Sequence, residues 1–233
     1  GAYLSGRYWY DFALQDDQLP FRQIDDGGRQ QGAKSSGAEF LEAFVYQRYQ
    51  LEQQPGEVRF GRQTLNWGEG LFIGNALNQL NPQQVSAYRQ PATPLGAGFL
   101  PSNLLHLSQS LGERWQIEGF YQLSWDADVA ENCSTFFSAA DYQAPGCSDN
   151  LAVLRTRQQV ADQYGQAALA SLQGLGVEWN VPDEGVLVRR GADQDAADSG
   201  QFGLALHYFA APLETNFGLY ALHINSRQAY LGI

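Results

Sequence analysis

An all-β chain, folded as an antiparallel transmembrane β-barrel with long, partly helical loops on one rim, is the fold class this sequence predicts. Three observations carry it. The stretch W-Q-I-E-G-F-Y-Q-L-S-W puts Trp115, Ile117, Gly119, Tyr121, Leu123 and Trp125 on one face of a strand and Gln116, Glu118, Phe120, Gln122 and Ser124 on the other. Tilted strands cross hydrocarbon in about 9–11 residues, and Trp and Tyr favour the interfaces at either end. The connections between such stretches alternate long and short, which gives one elaborate rim and one plain one. No run of about 18 apolar residues occurs, so a membrane helix is excluded while alternating strands are not.

The elements follow in order. Residues 2–14 form a first strand, with Ala2, Leu4, Gly6, Tyr8, Tyr10, Phe12 and Leu14 on one face and Ser5, Arg7, Trp9 and Asp11 opposite. Leu41, Ala43, Val45, Tyr49 and Leu51 mark a second strand, against Glu42 and Arg48. A third covers about 58–66, a fourth 103–111, the fifth 115–125, a sixth 201–210 and a seventh 216–226. The connections are the long polar segment 16–37, a tight turn at Gln54-Pro55-Gly56-Glu57, the segment 67–102, Gly112-Glu113, the segment 126–200, and 211–215. Single-chain bacterial barrels have an even number of strands, so a count of seven predicts the N-terminal part of a larger barrel, with first and last strands unpaired to each other. The domain organisation is one barrel portion over residues 1–233, in which 126–200 forms an extracellular subdomain.

Composition agrees with a surface that is partly out of water. Aromatics make up 13 %, charged residues only 17 %, and there are 25 glycines. The mean hydropathy of −0.36 does not oppose a barrel, because alternating strands barely move that average. With 14 basic against 25 acidic residues and Lys34 the sole lysine, the net charge of −11 excludes nucleic acid as a partner.

The loops carry the next expectations. Segment 67–102 holds W-G-E-G and a short helix ended near Pro82. Its Leu71, Phe72, Ile73, Leu77 and Leu80 would be poorly solvated in open water, so the segment is expected to fold into the lumen or across the mouth. Arg62, Trp67, Glu69, Asn78 and Pro82 define that loop fold, with Glu69 pairing Arg59 or Arg62. In 126–200, residues 154–172 read as a helix with Val160, Ala161, Tyr164, Ala168, Leu169 and Leu172 on its apolar face. Asp183, Glu184, Asp193, Asp195 and Asp198 read as a solvated acidic loop, since they lack EF-hand spacing. No metal or other cofactor is expected.

Function is read from the lumen. Trp9, Phe40, Phe44, Tyr46 and Phe120 fall on the inward side, mixed with Arg7, Glu42, Arg48, Glu118 and Gln122. An aromatic track with a few polar anchors suits an amphipathic cargo, where an ion porin would favour opposed rows of charge. The alternative is a barrel plugged by its own loops, serving as a docking component of an envelope complex. Catalysis is not expected. His106 and Ser108 share a face, but no third group and no G-x-S-x-G accompany them, and His207 and His223 lack metal spacing.

Several blocks resemble a known family: F-G-R-Q-T-L-N-W-G-E-G-L-F-I from Phe60, N-Q-L-N-P from Asn78, L-P-S-N-L-L from Leu100 and I-E-G-F-Y-Q-L-S-W from Ile117. C-S-T-F-F-S-A-A-D-Y from Cys133, Gly146-Cys147 and G-Q-F-G-L-A-L-H-Y-F from Gly200 extend the match. The family is the Gram-negative one catalogued as domain of unknown function thirteen-oh-two, and the resemblance covers most of the chain after about Phe40. It implies an outer-membrane barrel longer than this chain, in contact with outer-membrane lipid and lipopolysaccharide. It further implies neighbours of two kinds, a lipoprotein meeting it from the periplasm and a transporter of the resistance-nodulation-division type. Cys133 and Cys147, the two cysteines, lie in a loop that this topology puts outside the cell, where an even count favours a disulfide.

Overall fold

The computed structural model describes residues 1–15, 26–68, 76–89, 96, 98–132, 135–138, 143–147, 150–177, 179 and 185–230. Seven strands form one antiparallel sheet in the order β1 (Ala2–Tyr10), β2 (Ser36–Leu51), β3 (Gln54–Gln63), β4 (Ser102–Leu111), β5 (Trp115–Gln122), β8 (Phe202–Ala210) and β9 (Thr215–His223). Each pairs with its neighbour in sequence along this sheet, and β1 and β9 stand at its two edges without pairing to each other. A separate two-stranded antiparallel sheet, β6 (Asn150–Leu154) with β7 (Val186–Arg189), was not expected from the pattern. Its strands are too short for a period of two to stand out.

Several boundaries move for local reasons. The first strand stops at Tyr10, because Asp11 starts a helical turn, α1 (Phe12–Gln15): its Oδ1 accepts the Leu14 N–H and its carbonyl the Gln15 N–H. Phe12 and Leu14 therefore do not continue the strand face. The β2–β3 turn is at Glu52 and Gln53, both with left-handed φ (50° and 66°), and not at 54–57. Pro55 instead stands opposite Gln50, one pair in from the turn, where the antiparallel ladder asks no N–H of it. The expected third strand thus begins earlier and ends at Gln63, while the fifth ends at Gln122 and the seventh at His223.

The ladder register sorts side chains into two faces. One face carries Leu4, Tyr8, Val45, Phe60, Leu105, Leu107, Ile117, Tyr121, Leu204, Phe217 and Leu219, all exposed. The other carries successive cross-strand rows. Arg48, Glu57, Ser108, Glu118, Ala205 and Tyr220 make one; Tyr46, Arg59, His106, Phe120, Gly203 and Leu222 make the next. Polar and buried groups concentrate on this second face, called inner below.

Phe40 is a correction. Between Leu4 and Gly6 on β1, β2 advances three residues, from Ala43 to Phe40, so it holds a bulge. The Ser5 hydroxyl accepts the Glu42 N–H inside the bulge at 3.1 Å. Below it the alternation reverses: Phe40 turns to the outer face, 68 % exposed, and Glu39 turns inward. One extra residue flips every side chain beyond it.

The chain divides into two compact units: residues 1–19, 31–131 and 194–233 hold the main sheet, and 20–30 with 132–193 form the second. In the second unit the expected single helix is two, α2 (Arg157–Tyr164) and α3 (Gln166–Gly174). Thr156 and Gln159 close a capping box on α2, and Gly165, at φ 85° and ψ 164°, breaks the helix in a conformation that favours glycine. Val160 is buried, whereas Tyr164 is exposed. Arg29 donates to Asn132 Oδ1 at 3.0 Å, and Asn132 donates to Asp26 at 3.2 Å. Of the acidic loop, Asp183 and Glu184 lie outside the described residues; Asp193 holds Arg190 at 2.6 Å.

Candidate functional site

The inner face has a covered half and an open half. Over β4, β5, β8 and β9, Leu65, Trp67 and Leu80 come down on Leu104, Phe120 and Ala205 to form the core, flanked by Leu77, Tyr220, Leu222 and Ile224. Trp67 meets Phe120 edge-on at 5.3 Å and lies 5.9 Å from Tyr220. The covering segment is fastened by polar groups. Asn81 acts as a strand partner for Leu65, donating to its carbonyl at 2.7 Å and accepting its N–H at 2.9 Å. A short 3-10 turn, Ala76–Gln79, leads to buried Pro82, whose carbonyl accepts the Leu100 N–H at 2.7 Å; Asn78 O accepts from Gln83 at 2.6 Å. Arg62 donates to Leu41 O and Arg59 to Glu57; Glu69, expected to pair with one of them, lies outside the described residues.

Arg227 is the main fastening, and sequence reasoning missed it. Its buried guanidinium donates to Gln79 O (2.9 Å), Leu80 O (2.9 Å), Asp126 O (2.7 Å) and Gln122 Oε1 (2.7 Å). It therefore ties the covering segment to β5, and Gln122 serves this tie instead of facing open space. Nearby, Asp128 accepts the Gln83 N–H at 2.8 Å. Burial is the largest influence on its carboxyl and pushes it above the usual range, against the pull of that N–H and of Arg227. Nothing in the local pattern around Arg227 marks it, because its acceptors are about 100–150 residues away in sequence.

Beneath Trp67 lies a node centred on Glu118. Oε2 accepts Trp67 Nε1–H at 2.9 Å and His106 Nε2 at 3.1 Å; Oε1 accepts Gln116 Nε2–H at 3.0 Å, with His207 Nε2 at 3.6 Å. A carboxylate only accepts, so His106 carries its proton on Nε2. Among the described residues its Nδ1 is buried without a hydrogen-bond partner, and Ser108 is not paired with it. Among the described residues no set of three His, Cys, Asp or Glu is arranged to hold a metal ion. His207 joining Glu118 was not legible in the sequence, since it depends on the β5–β8 register, which aligns Gln116 with His207.

The open half lies over β1 to β3. Arg48 donates to Glu57 Oε2 (2.8 Å) and Arg59 to Glu57 Oε1 (2.5 Å), so one carboxylate serves two guanidiniums. Arg48 lies 5.4 Å over Tyr46, and Arg59 5.6 Å over Phe44. Phe44 continues to Tyr3 at 5.4 Å and to Tyr46 at 6.2 Å. Towards the long-loop rim, Arg7 binds Glu39 (2.7 Å) and Gln84 Oε1 (2.5 Å) and lies 5.3 Å over Trp9, while Glu42 accepts the Thr64 N–H. Of the residues expected on the lumen side, Trp9, Phe44, Tyr46, Arg7 and Arg48 share this face; Phe120 is buried under Trp67, and Phe40 is outside. Cys133 lies outside the described residues; Cys147 ends a turn, its N–H on Ala144 O.

A family model matches residues 1–233. The chain belongs to the DUF1302 family. Its description is that of a protein of unknown function. The match takes in the whole of this DUF1302 chain, where the motifs carry the resemblance only from about Phe40 onward. No curated protein and no solved structure matches it.

Proposed function

We propose that this DUF1302 sheet is a wall of an outer-membrane β-barrel, part of a transport or export system for hydrophobic or amphipathic small molecules or lipids. The observation that carries the reading is the two-faced sheet. Large apolar side chains stand exposed along every one of its seven strands, while the opposite face gathers arginine, glutamate, histidine and aromatic groups. In water such a band is costly, at about 1.5–3 kcal/mol for each large apolar side chain left uncovered; in hydrocarbon it is the expected surface. The free edges of β1 and β9 would leave backbone groups unsatisfied in lipid, so further strands complete the barrel in this reading. Outer-membrane lipid and lipopolysaccharide contact its outer face. A periplasmic lipoprotein and a resistance-nodulation-division transporter meet it at the short-turn rim. Deletion of the gene is expected to change cellular accumulation of, or tolerance to, hydrophobic compounds, with the protein fractionating in the outer membrane. Unchanged phenotypes for uptake, export and tolerance would overturn the transport reading.

The covering segment favours a second reading, a plugged barrel that docks an envelope complex, because Trp67, Leu80 and Arg227 close half the inner face. Single-channel conductance separates the two: a stable pore supports passage, and a silent barrel that copurifies with periplasmic partners supports docking. In either reading residues 126–200 lie outside the cell, in an oxidising medium, and Cys133 bonds Cys147. Closing a loop of about 15 residues is worth about 3 kcal/mol in the chain-entropy model. Reduction is expected to lower stability by that order and to add two alkylatable thiols, read by intact mass.

A further inference from the structure

Between the arginine pair and the short-turn rim, the inner face holds a depression of about 540 Å³, within the range of roughly 300–1,000 Å³ that small-molecule sites occupy. Inner-face side chains of Arg48, Glu57, Ser108, Ser110, Gln50 and Gln116 line it. The charges are stacked in depth. The Glu57 side chain is 14 % exposed and both its oxygens are held by guanidiniums, whereas the Arg48 side chain is 76 % exposed. What faces an incoming molecule is thus a guanidinium fork with hydroxyls and amides around it. At the fork itself two guanidiniums against one carboxylate leave one positive charge, and the Glu118 carboxylate stands beyond Ser108 in the same row, so a monoanion is matched and a dianion exceeds what the site can balance. The fork is also shaped to hold a carboxylate by two N–H groups. Arg48 lies directly over Tyr46, where the Tyr46, Phe44 and Tyr3 rings begin, so an apolar body attached to that head has a track to lie on.

We propose that this depression binds the head of an amphipathic monocarboxylate, with its apolar body along Tyr46, Phe44 and Tyr3 and its head towards the short-turn rim. The inference rests on the barrel reading and specifies its cargo. It names the carboxylate and the tail together as the recognised chemistry, and it fixes the orientation in which that cargo is held.

The test is saturable binding of radiolabelled dodecanoate to the full-length protein in lipid nanodiscs, corrected for empty nanodiscs. Unlabelled dodecanoate should displace it; dodecan-1-ol, which lacks the charged head, and acetate, which lacks the apolar body, should each compete about tenfold or more weakly. Arg48→Gln should weaken binding by the same order, and Tyr3→Ala, whose ring touches Phe44 and not Arg48, should weaken dodecanoate without affecting acetate. Glu57→Gln leaves both guanidiniums uncompensated and should shift preference towards dodecyl phosphate, which a merely structural role for Glu57 would not do. Equal competition by dodecan-1-ol would overturn head recognition. Equal competition by acetate would reduce the site to an anion site, and unchanged binding in both Arg48→Gln and Arg59→Gln would remove it. Heat-modifiable migration of each variant reports barrel assembly separately. Failure of the unmodified protein to assemble in lipid overturns the barrel reading, whereas assembly without displaceable dodecanoate overturns only this one.

Discussion

The two halves of the inner face use charge in opposite ways. Over β4, β5, β8 and β9 the charged groups are buried or partly buried and serve the protein: Glu118 collects Trp67, His106 and Gln116, and Arg227 collects three carbonyls and an amide. Over β1 to β3 the partly buried Glu57 carboxylate sits beneath the outward-reaching Arg48 guanidinium, and among the described residues no covering segment is fastened to Arg48. Both halves combine aromatic rings with ions, so composition does not distinguish them. The difference is whether the donors are spent within the fold or left for something else.

Breaking the covered half should have the largest effect. Arg227→Met leaves four acceptors, two buried and two part-buried, without their donor, at about 1–3 kcal/mol for each in isolation; since the segment can partly release them to water, we expect a loss of about 3–5 kcal/mol. Denaturant unfolding, with proteolysis read for new cuts within 76–89, checks both the size and the place. A shift confined to the open half would show that the segment is held by something else.

The comparison presumes that the opposite face meets lipid. Leu107→Arg, mid-strand on that face, should cost about 2–4 kcal/mol in folding into phospholipid vesicles. No measurable cost in vesicles would mean that this face is not in hydrocarbon, and the open half would then lose its claim to be a lumen.

Glu118→Gln should be smaller. An amide offers one acceptor oxygen where the carboxylate serves three donors, so at least one donor faces an NH2, at a cost of about 1–3 kcal/mol. Glu57→Gln should cost less than Glu118→Gln, because Arg48 can turn to water. Paired unfolding curves sharpen the contrast, and equal losses would erase it.

The smallest effect is a pH dependence at Asp128. Its carboxyl is raised by burial, so the folded protein holds that proton more tightly than the unfolded chain does. The stability this contributes is fully present below the ordinary aspartate pKa and is lost as pH rises through the raised one. Asp128→Asn, which keeps the oxygen facing Gln83, should flatten the curve in that window and leave neutral-pH stability unchanged or slightly higher. Titration by thermal melting in that window checks it.

The strands were legible because a half-buried strand must alternate, as exposed and partly buried positions do from Leu4 to Tyr10 and buried and exposed ones from Leu104 to Leu107. The order of the seven strands in the main sheet followed from turn residues that lie next to them in the chain, although Gln54-Pro55-Gly56-Glu57 misplaced the β2–β3 turn and the β6–β7 pair gave no such signal. Phe40 shows where this stops: alternation gives parity only up to a bulge, and the bulge in β2 is set by pairing with β1, not by β2's own residues. Glu118, His106 and His207 show the same limit across strands, because each is merely inward by parity and only the register brings them within reach of one another. Arg227 lies beyond any local rule. A guanidinium in an irregular segment says nothing of its partners until the chain has folded around it, and its acceptors are backbone carbonyls that every residue has. The sequence by itself therefore determined the sheet, its two faces and the alternation of its connections, all of which depend on contacts between near neighbours. Which polar groups are consumed in holding the fold and which remain open on the inner face was decided by the tertiary structure, because burial and hydrogen bonding between distant segments exist only once the sheet is assembled.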